Sequence, residues 1–158
     1  MNWYVLYVKS QTEKKTASAL ERMGLEVFCP TKTEVRQWSD RKKKVKVPLF
    51  KSYVFVRLEE SQRQQVFAVH SVVRYLFWLG KPAIVRDEEL ETVKNWLADE
   101  RVAEVQVQQF NPGDRVEIKS GVFKGQSGII DQTGTRKVRL LLKNLGVIVE
   151  ASYRDLVS

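Results

Sequence analysis

The segment PLFKSYVFVRL, residues 48–58, follows directly on DRKKKVKV, residues 40–47, so an apolar strand adjoins the most basic run of the chain. Successive side chains of a strand point to opposite faces, so Tyr53 and Phe55 share one face and the two valines that follow them share the other. One row is expected to pack against helices, which leaves the other row able to bind a partner. The alternative is that both rows are core, the usual fate of aromatic residues in strands.

The basic run is predicted to form the tip of a β-hairpin. TKTEVRQW (31–38) continues a strand that stops at Pro30, SDRKKK (39–44) is polar, and VKVPLFKSYVFVRL (45–58) returns. Such a charge run at a turn is most often only a solvated tip. Lysine and arginine side chains can also bind nucleic-acid phosphates, and the residues alone leave both interpretations open.

The N-terminal segment predicts a strand followed by a helix. WYVLYV (3–8) is β-branched and aromatic, and TEKKTASALERMG (12–24) carries apolar residues at helical spacing. Ser10 and Glu13 match a capping box, and Gly24 stands where a helix-terminating glycine is expected.

Further along, residues 59–71 predict a short helix, residues 72–80 a strand, and residues 86–99 a helix with acidic residues in its first turn. The order of elements is therefore β-α-β-β-α-β-α. This order predicts an α+β domain over residues 1–97, with helices covering one face of a mainly antiparallel sheet.

The remainder predicts a second, smaller domain. ADERVAEVQVQQF (98–110) is charged and sparsely apolar, which suits a flexible linker. From Asn111 the chain alternates short β-branched runs with turn glycines, which predicts a small closed, SH3-like β-barrel over residues 111–158. These glycines are Gly113, Gly121, Gly125, Gly128, Gly134 and Gly146.

Charge and composition restrict the class of function. The net charge is +8 and the pI about 9.6, and residues 1–97 hold 18 Lys and Arg against 11 Asp and Glu, so a polyanionic partner is favoured. With one cysteine, Cys29, and one histidine, His70, we expect no disulfide, metal site, cofactor or Cys/His catalytic pair. We also expect no membrane span and a cytoplasmic location.

Several motifs together resemble a known family. GDRVEIKSGVFKGQSGII (113–130) resembles the KOW motif of elongation factors and ribosomal proteins. WYVLYVKSQTEKK (3–15), PLFKSYVFV (48–56) and KPAIV (81–85) are similar, in order and spacing, to the N-terminal (NGN) domain of NusG and RfaH. The whole chain thus resembles a NusG/RfaH-type transcription elongation and antitermination factor, and QWSDRKKKV (37–45) is most similar to the specialised UpxY branch.

This resemblance implies a set of contacts. An apolar patch would bind the coiled-coil clamp helices of the largest bacterial RNA polymerase subunit, at Tyr7, Phe50, Tyr53 and Phe55. Upstream or non-template DNA would be contacted by Lys9, Lys15, Arg41, Lys42, Lys43, Lys44 and His70. The KOW domain would bind a small-subunit ribosomal protein or Rho, at Phe123 and Leu145.

The chain departs from the family at one turn, where Phe50-Lys51-Ser52 replaces the usual Phe-Pro-Gly or Phe-Pro-Asn. The lost proline removes a rigid turn, and the lysine adds charge beside the predicted patch.

The predicted function is that of a monomeric, non-enzymatic elongation factor that binds polymerase and DNA, reduces pausing and termination, and acts as a specialised antiterminator of long operons. One alternative is a ribosome-associated or general RNA-binding KOW protein. Another is an assembly factor that uses the apolar strand for self-association, which predicts a stable dimer.

Overall fold

The computed structural model describes residues 1–109, 122–123, 126–131, 137–142 and 145–153. Contacts divide the chain into two compact units, Met1–Tyr75 and Leu76–Ser158. This division does not coincide with the predicted boundary after residue 97. The helix Asp87–Ala98 lies in the C-terminal unit and leads into the strand Val102–Gln109 through a tight turn, in which the Val102 amide donates to the Asp99 carbonyl at 3.1 Å.

The first unit contains six strands, one α-helix and one 3₁₀ segment, where four strands and two helices were predicted, because both strands of the predicted hairpin are divided in two. They are β1 (Asn2–Val8), α1 (Glu13–Arg22), β2 (Glu26–Phe28), β3 (Thr31–Gln37), β4 (Lys42–Pro48), β5 (Tyr53–Leu58), a 3₁₀ segment (Glu60–Ala68) and β6 (Val72–Tyr75).

Strands β2, β5, β1 and β6 form an antiparallel sheet in that order, which confirms the predicted α+β architecture. The valine row of β5 lies on the face covered by α1. There it packs in the main apolar core with alternate residues of β1 and the inner face of the helix. These core residues include Tyr4, Leu6, Val8, Ala17, Leu20, Val54, Val56 and Leu58. Burying each of the larger side chains contributes roughly 1.5–3 kcal/mol.

The predicted β-hairpin is formed by β3 and β4, which pair antiparallel from Thr31 opposite Pro48 to Gln37 opposite Lys42. Its turn is closed by two hydrogen bonds: the Trp38 amide donates to the Arg41 carbonyl at 2.8 Å, and the Arg41 amide donates back at 3.3 Å. The basic run therefore begins at the tip and continues down the second strand.

Helix α1 begins at Glu13, whereas the predicted capping box places the N-cap at Ser10. Thr12 occupies the N-cap position without a capping hydrogen bond from its side chain, so the prediction for Ser10 is wrong. Glu13 is instead the first helical residue, and its carboxylate is used in a long-range contact described below. The predicted helix end is confirmed, because Gly24 follows the C-cap with φ at +87°.

The second unit begins with three very short strands and a helix, namely β7 (Phe77–Trp78), β8 (Lys81–Pro82), β9 (Ile84–Val85) and α2 (Asp87–Ala98). Strands β7 and β8 pair through Leu79 and Gly80, whose φ angles are both positive, at +52° and +79°. Helix α2 buries Leu90, Val93 and Trp96.

The remaining strands are β10 (Val102–Gln109), β11 (Val122–Phe123), β12 (Gln126–Asp131), β13 (Lys137–Leu142) and β14 (Val147–Tyr153). They form an antiparallel sheet in the order β10-β14-β13-β12-β11, which confirms β-structure for the C-terminal segment. The predicted linker is wrong for Val102–Gln109. Here Val105 and Val107 alternate with glutamines at the period of a strand, and this segment pairs with β14 along its length.

In the part of the chain that the structure describes, no helix has the length and apolar character needed to cross a membrane.

Candidate functional site

Two tyrosines form the accessible part of the predicted apolar patch. Tyr7 on β1 lies directly opposite Tyr53 on β5, and their rings meet edge to face with centroids 6.3 Å apart. Tyr7 is 37% exposed and Tyr53 is half-buried. Both project from the sheet face opposite the α1 core, so this tyrosine pair presents aromatic surface on a rigid antiparallel ladder.

The two phenylalanines of the predicted patch do not lie at the surface. Phe50 is 2% exposed and Phe55 is fully buried, so the expectation that the Phe55 row is open to a partner is wrong at this position. Their rings pack edge to face at 5.0 Å, and Phe28 packs on Phe55 at 5.9 Å. The phenylalanines are therefore an interior support for this end of the sheet, as the core alternative predicted.

The surroundings of Tyr53 raise the pKa of its hydroxyl group. Burial, and then the neighbouring Tyr7, raises the pKa of Tyr53, and Arg74 opposes this shift. The Arg74 guanidinium lies 5.4 Å from the centre of the Tyr7 ring, within the range of a cation–π contact. The pair thus combines apolar ring surface with hydroxyl groups, which are able to donate hydrogen bonds.

Two hydrogen bonds, one to the amide and one to the carbonyl of Ser52, stabilise the turn that precedes Tyr53. The Ser52 amide donates to Glu13 Oε2 at 3.3 Å, and the Ser52 carbonyl accepts from the Val8 amide at 2.8 Å. Ser52 has φ at +66°, a conformation that glycine and asparagine adopt most readily, which suits the Phe-Pro-Gly or Phe-Pro-Asn of the family that the sequence resembles. These two hydrogen bonds fix the turn in the absence of the family's proline.

The predicted nucleic-acid residues fall into three groups, all of them exposed. Lys9 and His70 are brought near one another, because the Lys9 amide donates to the carbonyl of Ser71 at 2.9 Å. Lys15 lies on the first turns of α1, and the hairpin tip carries the third group, which is Arg41, Lys42, Lys43 and Lys44.

A cavity of about 610 Å³ lies between the start of α1 and the base of the hairpin. Its lining includes four cations, Lys14, Lys15, Arg36 and Lys51, together with the buried Glu13. Lys14 Nζ also donates to the carbonyl of Lys46 on β4 at 2.5 Å. Only Lys15 of this group was predicted from the sequence, because the other cations meet it only when the hairpin folds against the helix.

Arg63, in the 3₁₀ segment, has an internal role that its sequence position does not reveal. Its guanidinium lies over the rings of Tyr75 and Tyr4, at 4.7 and 5.4 Å from their centres. The Tyr75 hydroxyl in turn donates to the Arg63 carbonyl at 2.7 Å. Arg63 therefore stabilises the helix-covered face of the sheet.

Of the two residues predicted to bind a partner of the C-terminal domain, only Leu145 has a side chain that the structure describes. Leu145 is 5% exposed, so it belongs to the interior of its unit and offers little surface to a partner. The side chain of Phe123 lies outside the described part of the structure, and its role stays a prediction.

Within the described residues, no group of three or more His, Cys, Asp and Glu side chains is arranged to hold a metal ion. Cys29 is a free thiol whose pKa is raised to about 11, mainly by burial and then by Glu13.

The chain is similar to known proteins over most of its length. Residues 1–94 match the family model described as transcription termination factor NusG. The transcription termination/antitermination protein NusG of Pasteurella multocida is 27% identical over 152 residues, which cover 87% of this chain and 82% of that protein. The protein of the same name from Pseudomonas aeruginosa is 26% identical over 151 residues, which cover 87% of this chain and 85% of that protein.

A solved structure that concerns domain interaction in Thermotoga maritima NusG is 24% identical in sequence to this chain. The alignment covers 94% of this chain and 92% of that chain, with a TM-score of 0.46. Because the family model covers more than half of the sequence, the assignment rests on that match. The chain belongs to the NusG family of transcription termination and antitermination factors, and it is not an enzyme.

Proposed function

We propose that this protein is a transcription elongation factor that binds the clamp helices of bacterial RNA polymerase through the tyrosine pair, Tyr7 and Tyr53. Bound there, it holds upstream or non-template DNA with its basic residues and reduces pausing and termination. The resemblance of QWSDRKKKV to the UpxY branch favours a specialised antiterminator. We further propose that it acts as a cytoplasmic monomer, with its C-terminal domain binding a ribosomal protein or Rho.

The observation that carries this proposal is the tyrosine pair itself. Two aromatic side chains with hydroxyl groups lie side by side on paired strands, next to the buried Phe50 and Phe55. Aromatic residues of this kind are enriched at the centres of protein interfaces, because they bring large area at low conformational cost. The buried phenylalanines act indirectly, by holding the strand that carries Tyr53.

The basic residues supply the second contact. Lys9, Lys15, His70 and the hairpin tip are exposed, and the charge of residues 1–97 is +7, from 18 cations and 11 acids. Cations at such positions bind phosphates and accelerate association with DNA in a salt-dependent way.

The experiment is a titration of the full chain with the isolated clamp-helix segment of its own polymerase, followed by anisotropy. We expect Tyr53→Ala and Tyr7→Ala each to weaken binding by about tenfold or more, the range of interface residues whose truncation costs over ~1.4 kcal/mol. The double variant should abolish measurable binding.

Phe67→Ala is the matched control, because Phe67 is also an exposed aromatic residue, at 41%, but packs on Tyr75 at the opposite face of the sheet. It should bind as the parent does. If the tyrosine variants bind normally while their circular dichroism shows a native fold, the tyrosine pair is not the polymerase contact. If instead the chain binds structured RNA tightly and the clamp helices not at all, the alternative of an RNA-binding KOW protein is the correct one.

A further inference from the structure

The hairpin β3–β4 carries an exposed tryptophan among its cations. Trp38 is 53% exposed at the tip, where it faces Arg41 across the turn. Within the described residues its ring meets no other aromatic ring and no guanidinium group. An indole in this position contributes nothing to the core, so its apolar surface is available to a ligand.

The register of the hairpin sorts its cations between two faces. Arg36 lies opposite Lys43, and Gln37 lies opposite Lys42. Because side chains alternate along each strand, Trp38 shares one face with Arg36, Arg41 and Lys43. Lys42 and Lys44 belong to the other face, as does the exposed Val35.

The face that carries Trp38 continues into the cavity at the hairpin base. Arg36 lies on this face and also lines the cavity, together with Lys14, Lys15 and Lys51. Cationic side chains therefore form a continuous path from the start of α1 to the tip of the hairpin. A seven-residue strand spans about 24 Å, which is the length of roughly seven stacked nucleotides.

The acidic residues near this path do not neutralise it. Glu34 pairs with Lys32 at 3.7 Å and with Arg36 at 3.8 Å, and Glu13 is buried against the Ser52 amide. Asp40 lies in the tip turn. Residues 31–48 nevertheless hold seven cations against two acids, a net charge of +5. In the described part of the chain, Arg41 and Lys43 form no ion pair with an acidic side chain.

We propose that this face of the hairpin binds single-stranded DNA, with one unpaired base stacked on Trp38 and with Arg36, Arg41 and Lys43 against the phosphates. An aromatic ring set within a cationic track is the arrangement that binds single strands, because every base has a π-face and every nucleotide a charge. The choice of DNA over RNA rests on the proposed function, whereas the stacking site rests on the hairpin geometry.

The test is a fluorescence-anisotropy titration of a labelled 12-nucleotide single-stranded DNA with the full chain, repeated over a range of salt concentrations. We expect Trp38→Ala to weaken binding by about 5- to 150-fold, the range for loss of one base–aromatic stack. The salt slope should stay unchanged, since no phosphate contact is lost. Trp38→Phe should recover most of the affinity.

Paired substitutions test the assignment of faces. Lys43→Gln should reduce the salt slope by about 0.7–1, as expected for one lost phosphate contact. Lys46→Gln, opposite Thr33 on the other face, should leave it nearly unchanged, and Val35→Ala should bind as the parent does. Since all these side chains are exposed, each variant should keep its native circular dichroism.

The proposal is overturned if Trp38→Ala binds single-stranded DNA as tightly as the parent, or if Lys46→Gln and Lys43→Gln are equivalent. Tighter binding of the same sequence as RNA or as a duplex overturns the choice of ligand. The proposed polymerase contact is assessed separately, because Trp38→Ala should still bind the clamp helices and Tyr53→Ala should still bind DNA.

Discussion

The buried carboxylate of Glu13, in the first turn of α1, accepts a hydrogen bond from the backbone amide of Ser52, 39 residues away, at 3.3 Å. This contact links the start of the helix to the turn that places Tyr53. Its other oxygen, Oε1, is buried without a hydrogen-bond partner among the described groups. The carboxylate thus stabilises the turn at Ser52 and does not cap the helix.

Replacing Glu13 with alanine should lower the free energy of unfolding by about 1–3 kcal/mol, because the Ser52 amide would be left without its acceptor. Urea denaturation followed by circular dichroism measures this loss. Glu21→Ala is the control, since Glu21 is exposed on the same helix and should change stability by less than ~0.5 kcal/mol. Equal midpoints for the two variants would mean that the Glu13 contact does not stabilise the turn.

The turn at Leu79 and Gly80 has positive φ at both residues, which suits Asn-Gly better than Leu-Gly. Leu79 is 75% exposed, so its side chain contributes little burial. We expect Leu79→Asn to raise Tm, with a gain of roughly 0.5–1 kcal/mol, and Leu79→Val to lower it, because β-branched residues tolerate this conformation least. Differential scanning calorimetry of both variants tests the sign. A lower Tm for the asparagine variant would contradict the turn assignment.

Tyr75 should make stability depend on alkaline pH. Burial raises its pKa from 10 in the unfolded chain to about 12, against the opposing effect of Arg63. The unfolded state therefore loses this proton first, and the stabilisation that is complete below pH 10 is lost between pH 10 and about 12. Urea midpoints measured across this window should fall with pH.

The same series with Tyr75→Phe provides the control. This variant loses the hydrogen bond to the Arg63 carbonyl and should be less stable at neutral pH, but its decline above pH 10 should be shallower. If the urea midpoints of the two proteins fall equally above pH 10, groups other than Tyr75 cause the loss of stability at alkaline pH.

Cys29 should react slowly with alkylating reagents. Its pKa of about 11, against an ordinary value of 9.0, leaves about 100-fold less thiolate near neutral pH than an unperturbed cysteine has. Mass spectrometry of iodoacetamide labelling should show a rate at least that much below that of the urea-unfolded chain. The rate should rise about tenfold per pH unit up to pH 11. Labelling of the native protein at the rate of the unfolded chain would place Cys29 at the surface.

The local elements of the first unit could be predicted from the sequence, because their signals lie within a few residues of one another. The helix between β1 and β2, its end at Gly24, and the hairpin with a basic tip were all predicted from such short-range patterns. The family could likewise be predicted from motif order, and the match over residues 1–94 confirmed it.

The predictions from sequence were wrong where a residue forms hydrogen bonds with a distant part of the chain. Glu13 matched a capping box in sequence, but Ser52 lies within its reach only in the folded chain. Val102–Gln109 was too polar to indicate a strand by composition, and its pairing with β14 decided its structure.

Alternation along β5 determined that Tyr53 and Phe55 share a face, since the period of a strand is a local property of the backbone. Only the tertiary structure decided that Tyr53 is accessible and Phe55 is not, because Phe50 and Phe28, brought from other segments, cover that ring. The sequence likewise determined that the hairpin is basic. The register of β3 against β4 decided which cations stand beside Trp38, because pairing between strands assigns side chains to faces.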